Sequence, residues 1–210
     1  MTMSKWGGLA SLTMAAAYII PALIYLMGDL RAAFGPLAYS LADLLAGPVW
    51  AASLLFTFWL VRTRIGGFAR QRMAWATGAT WVAAAAMVAV ACIRSANRHY
   101  HLAHPDLHLE DSTTVLVVWS TLVAGVLGAG WHFWGWSLVL LGAAGWATRR
   151  LPLGLCTLYI AAGIPAWFVY IAPDLEGGVV LLGVLVSVWQ AVHLIRDKAP
   201  ENHASASVVA

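Results

Sequence analysis

The densest chemistry in the chain lies in one stretch: Arg98-His99-Tyr100-His101-Leu102-Ala103-His104-Pro105-Asp106-Leu107-His108-Leu109-Glu110-Asp111. Imidazole and carboxylate in such proximity suit zinc, copper, iron or nickel. His101, His104 and His108 follow i, i+3, i+7 spacing, which aligns them on one helical face. Pro105 disfavours helical backbone at His104 and marks a boundary there. No His-Glu-x-x-His pattern and no repeated histidine boxes occur. His99, His101, His104, His108 and His132 are the candidate metal ligands, with a transition metal or haem as the cofactor. The competing reading is a polar loop at head-group level, its histidines meeting water and lipid phosphate.

Asp43 is the only acid inside an apolar run. A carboxylate at mid-membrane costs ~2.5–3.5 kcal/mol on insertion scales, so such groups turn into the bundle and often mark function. At 1.5 Å rise, Asp43 lies ~27 Å above the inner end of its helix and His132 ~24 Å above the inner end of its own. Arg94 and Tyr170 reach the same layer. Asp43, Arg94 and Tyr170 are therefore the candidate cofactor-binding residues. Asp43 is expected to pair with Arg94 or His132, either fixing helix packing or serving as proton carrier or as the acceptor that orients a metal-binding histidine.

The elements that must position these groups are membrane helices. Of 210 residues, 61% are hydrophobic and 10% charged, against roughly 25% charged in soluble domains. Such a chain cannot cover its surface in water, and lipid must be its solvent. The apolar runs are about 7–27, 37–61, 73–93, 113–147, 152–171 and 179–195. About 20 apolar residues cross a ~30 Å hydrocarbon core, and helices satisfy their own backbone groups there. The fourth run would form a helix of ~52 Å. It is expected to break near Gly128–Gly135, either into two spans or into one span preceded by a re-entrant or interfacial segment.

Positive charge arbitrates between these. One crossing puts nine Lys and Arg inside (Lys5, Arg62, Arg64, Arg70, Arg72, Arg149, Arg150, Arg196, Lys198) and three outside (Arg31, Arg94, Arg98). Two crossings give five inside and seven outside. The expected fold is thus an all-α integral membrane protein: a six-helix transmembrane bundle over 1–198, with the re-entrant or interfacial segment before the fourth span. Seven spans are the alternative. Residues 199–210 read as a disordered tail. Both termini fall on the cytoplasmic side of a bacterial inner membrane and the histidine loop on the periplasmic side. The net charge of +3 reads as a topology signal, and nucleic acid is not an expected partner. The lipid bilayer is, with a membrane-protein partner or a second copy also possible for the segment after Asp111.

Small residues at helical spacing, Ala79, Ala83, Ala85 and Ala89, and the pair Gly125 and Ala129, suit close helix packing. Cys92 and Cys156 read as small buried hydrophobes. Of twelve tryptophans, three (Trp131, Trp134, Trp136) bracket His132. Most fit interfacial belts, and a Trp-lined pocket for a flat hydrophobic ligand is the other use.

The stretch Gly135-Trp136-Ser137-Leu138-Val139-Leu140-Leu141-Gly142, then Arg149-Arg150-Leu151-Pro152-Leu153-Gly154-Leu155 and Ala162-Gly163-Ile164, resembles a family of small bacterial multipass membrane proteins known as a domain of unknown function. The resemblance implies fold and membrane location and brings no catalytic residues. The leading functional expectation is a membrane subunit or binding protein with an outer polar pocket for a metal, haem or hydrophobic cofactor. An intramembrane metal-dependent hydrolase or oxidoreductase, with a metal-activated water, is the second. A small transporter is the third, without the inverted repeat such folds show.

Overall fold

A computed structural model describes residues 2–27, 35–66, 70–104 and 113–196. Among them every regular element is helical. Helix α1 spans Met3–Leu26. Helix α2, Pro36–Leu44, continues through a π-helical turn at Leu45–Val49 into α3, Trp50–Ile65. Helix α4 is Arg70–Ala103 and α5 is Thr113–Thr148. Helix α6, Leu153–Ala166, leads through a short 3-10 turn at Pro173–Leu175 into α7, Glu176–Arg196. Among the described residues five segments are long and apolar enough to cross a membrane: Met3–Leu26, Leu37–Ile65, Arg70–Ala103, Thr113–Thr148 and Pro173–Arg196. Leu153–Ala166 is apolar but shorter. The apolar surface, with Trp75, Trp81, Leu116 and Leu181 among its exposed side chains, fits a membrane protein. The tail 199–210 lies outside the described residues.

Local sequence explains the joints. Pro48 has no N–H to give to the helical ladder, and the π turn around it absorbs the missing bond, a usual cause of a mid-helix bulge. That turn places Gly47 against α4, where a Cβ would meet the Cβ of Ala91 at 2.4 Å. Helix α4 ends at Ala103, within two residues of Pro105, as the proline predicts.

The fourth apolar run departs from expectation. Helix α5 is one uninterrupted helix with no break at Gly128–Gly135. These glycines serve contact. A Cβ on Gly128 would lie 2.7 Å from the Cβ of Tyr170, and one on Gly135 would lie 2.5 Å from the carbonyl oxygen of Gly163. A helix can keep its hydrogen-bond ladder through glycine when the missing side chain lets a neighbour approach. Its first 15 residues are not tucked among other helices either, since only Val123 of residues 113–127 is buried. Helices α4 and α5 instead run side by side, about 51 and 54 Å in length.

The core lies where α1, α3, α4, α5, α6 and α7 meet. Trp50, Trp134 and Tyr159 are its largest fully buried side chains. Ala79 and Ala83 are buried on α4 as expected, whereas Ala85, Gly125 and Ala129 are exposed. Nothing lies within 4 Å of a Cβ placed on Gly125, so that small-residue pair packs no helix within the chain. Cys156 is buried, but Cys92 is exposed on α4. At the opposite end of the bundle the Ser4 hydroxyl donates to the carbonyl of Leu194 and accepts from Arg64 Nη2 at 2.9 Å, tying α1, α3 and α7 together.

Candidate functional site

Asp43 is buried on α2, 4% exposed. A lone carboxylate so placed demands a cation, and Arg98 supplies one from α4: its Nη2 donates to Asp43 Oδ2 at 2.6 Å. Its Nη1 donates to Ser40 Oγ at 3.1 Å, one turn before Asp43 on the same face of α2. The guanidinium carbon stands 5.2 Å from the ring centroid of Tyr39, within cation–π range. The Tyr39 ring in turn lies 6.0 Å from that of Tyr25 on α1. The expected partners Arg94 and His132 are thus replaced by Arg98. It was legible as the start of the histidine stretch but not as part of a helix, because α4 continues nearly three turns past the end of its apolar run.

Beside this pair opens a cavity of about 1040 Å³, bounded by α1, α2, the π turn, α4, α5 and α7. That is at the upper end of the ~300–1,000 Å³ usual for small-molecule clefts. Its floor is aromatic. Tyr18 stacks on Trp131 at 6.1 Å and meets Trp50 edge-on at 5.9 Å, and Trp134 backs both from beneath. Its α4 wall changes character with height. Met87 lies at the bottom, while Arg94, Asn97, Arg98 and His101 line the upper part. These four are spaced i, i+3, i+4, i+7, hence one helical face. From Met87 to His101 is about 21 Å of helix. Glu176, in the first turn of α7, also lines the cavity and accepts from Trp131 Nε1 of the floor at 3.1 Å. The indole nitrogen of Trp119, a lining residue, is buried without a partner among the described residues. Buried donors left so are few in native proteins and call for an occupant, water included.

The other expected site residues fall elsewhere. His132 sits between α5 and the turn after α6. Its Nδ1 is 3.2 Å from the Trp167 carbonyl oxygen, and its Nε2 accepts from Trp136 Nε1 at 3.2 Å. An indole nitrogen can only donate, so these contacts assign a neutral ring with the proton on Nδ1. Both nitrogens are then engaged. Tyr170 stands 5.8 Å from the His132 ring, and neither residue lines the cavity. His99 and His104 are exposed at the end of α4, where His104 lies against Tyr100. His108 lies outside the described residues. Among the described residues no three His, Cys, Asp or Glu side chains come together to hold a metal ion. His132 is drawn away from the histidine stretch by Trp136 and Trp167, and of the described histidines in the stretch only His101 lines the cavity.

Asn97, Tyr25, Tyr39, Trp119 and Glu176 were missed at the sequence level. The signal for Asn97 was present: Arg94, Asn97, Arg98 and His101 already show helical spacing. Glu176 gave none, since which wall it faces depends on how α7 packs. Comparison with protein-family models, with curated proteins and with solved structures finds no match to this chain.

Proposed function

We propose that this chain is a membrane binding protein whose cavity holds a hydrophobic ligand with a polar end. The observation that carries this reading is the vertical gradient of the cavity: an aromatic floor at Tyr18, Trp50 and Trp131 beneath a wall of Arg94, Asn97, Arg98 and His101. An apolar body buried on three aromatic rings gains roughly 25 cal/mol per Å² removed from water. The polar end stays beside charged groups and escapes burial.

The topology proposed with it has six crossings, α2 and α3 forming one and the short α6 with its following turn another. Both termini are then cytoplasmic and the cavity mouth periplasmic, in a bacterial inner membrane. The nine-to-three charge distribution supports this orientation, and the uninterrupted α5 supports a single crossing there. A cysteine in place of Arg149 should resist an impermeant thiol reagent in intact cells and react after lysis. Labelling in intact cells would reject the topology.

The binding reading is tested by extracting the purified protein with organic solvent and identifying what comes off by mass spectrometry. A hydrophobic compound near one per chain is expected. It should be lost in Ala22→Phe or Ala46→Phe, both at cavity-lining positions, while the proteins remain folded. Equal recovery from wild type and variants would remove the compound from the cavity. Metal content gives an independent check. The separation of His132 from His99, His101 and His104 leads us to expect well under one metal per chain, and a stoichiometric transition metal would return the histidine stretch to the centre of the account.

A further inference from the structure

We infer that the cavity ligand is a phosphate-headed amphiphile whose anionic group lies against Arg94, Asn97, Arg98 and His101. This rests on the binding reading above and adds the chemistry of the head group. The first observation is the charge on the α4 wall. Arg98 is compensated by Asp43 at 2.6 Å, and its Nη1 already donates to Ser40, so the free positive charge on this wall falls to Arg94. Arg94 lines the same wall, and among the described residues no carboxylate lies within ion-pair distance of it. A guanidinium at the mouth of an apolar cavity is a weakly hydrated fork suited to phosphate.

The second observation is Trp119. Gly130 of α5 packs on Met87 of α4. Trp119 lies eleven residues from Gly130 and Arg98 eleven from Met87, about 16.5 Å of helix in each case, so Trp119 stands level with Arg98. Trp119 lines the cavity at the height of the cations, and its indole N–H has no partner among the described residues. Phosphate supplies several acceptor oxygens and a charge at one point. A phosphomonoester or phosphodiester is the class that fits.

The test is native mass spectrometry of the intact protein with two added probes of identical chains, dilauroyl phosphatidic acid and the uncharged dilauroylglycerol. Wild type should retain the phosphate form at least about tenfold better, which corresponds to about 1.4 kcal/mol. Arg94→Gln should abolish that preference while still holding the neutral probe, and Arg94→Lys should restore part of it. Equal retention of both probes by wild type overturns the head-group assignment and leaves the hydrophobic cavity intact. Retention of neither overturns the binding reading itself. Inorganic phosphate, added at the probe's concentration, should not displace the lipid. Displacement would assign the site to a free anion and overturn the amphiphile.

Discussion

Replacing Arg98 by Ala should destabilise the bundle by about 3–5 kcal/mol, the range for removing one partner of a buried ion pair. Asp43→Ala should be milder, and the asymmetry is the informative part. The Asp43 side chain is 5% exposed and the Arg98 side chain 23%. Without Arg98 the carboxylate stays buried beside Ser40, whose single hydroxyl cannot replace a charge. Without Asp43 the guanidinium can turn toward its exposed side and toward the cavity, and its long stem allows this. Asp43→Asn should fall between wild type and Asp43→Ala, because the amide oxygen still accepts from Nη2. Thermal unfolding in a mild detergent orders the variants, and the double variant Asp43→Ala with Arg98→Ala should recover part of the Arg98→Ala loss. A double variant whose loss equals the sum of the two singles would show that the pair is not coupled.

Gly135→Val and Gly163→Val should each lose stability by more than the 1–3 kcal/mol typical of overpacking. At either position the new Cβ meets backbone: it would lie 2.5 Å from the Gly163 carbonyl oxygen in one case and 2.6 Å from that of Gly135 in the other. A side chain can swing aside, but a helix carbonyl cannot. Helices α5 and α6 would have to separate along the contact that also seats Trp167 against Trp136. Gly125→Ala is the control. Nothing lies within 4 Å of that Cβ, and Ala is favoured over Gly in helix by about 1 kcal/mol, so the control should be neutral or slightly stabilising. A destabilised control would point to a partner on the exposed face of α5.

Much of the scaffold could be read from residue patterns, and the failures have physical causes. Hydropathy located the first helix at 7–27, where the structure has Met3–Leu26, and the fourth at 113–147, where it has Thr113–Thr148. Hydropathy reports where the apolar run ends, however, and a helix need not end there. Arg94 closed the third run in the sequence, yet α4 continues to Ala103 because its next turns are held against α2 by Arg98. This hid the polar face above the cavity. Glycine misled in the opposite direction: Gly128 and Gly135 resemble a break, and only the neighbouring Tyr170 and Gly163 show that they are contact points. Tryptophan divided as well. Trp75, Trp81 and Trp146 are exposed, as a belt requires, while Trp50, Trp131 and Trp134 are buried in the cavity floor or behind it. Nothing in their local sequence separates the two groups, since the distinction depends on which helices meet.

Asp43 shows the limit most clearly. Its isolation in an apolar run identified it as a residue with a partner, and the partner exists. Which arginine it takes is decided by the register of α4 against α2, fixed by Gly47 beneath Ala91 and the neighbouring Met87 backbone. That register is a long-range property. The histidines had the stronger chemical appeal but less structural support, because His132 is already engaged at both nitrogens by Trp136 and Trp167.

The central claim, that the cavity holds an amphiphile, is tested most directly by determining the structure of the protein in nanodiscs formed from its native membrane. Continuous elongated density is expected, resting on Tyr18, Trp50 and Trp131 and ending in a compact feature within hydrogen-bond distance of Arg94 and Trp119. A cavity closed by its own side chains, or holding only discrete waters from floor to mouth, would contradict it.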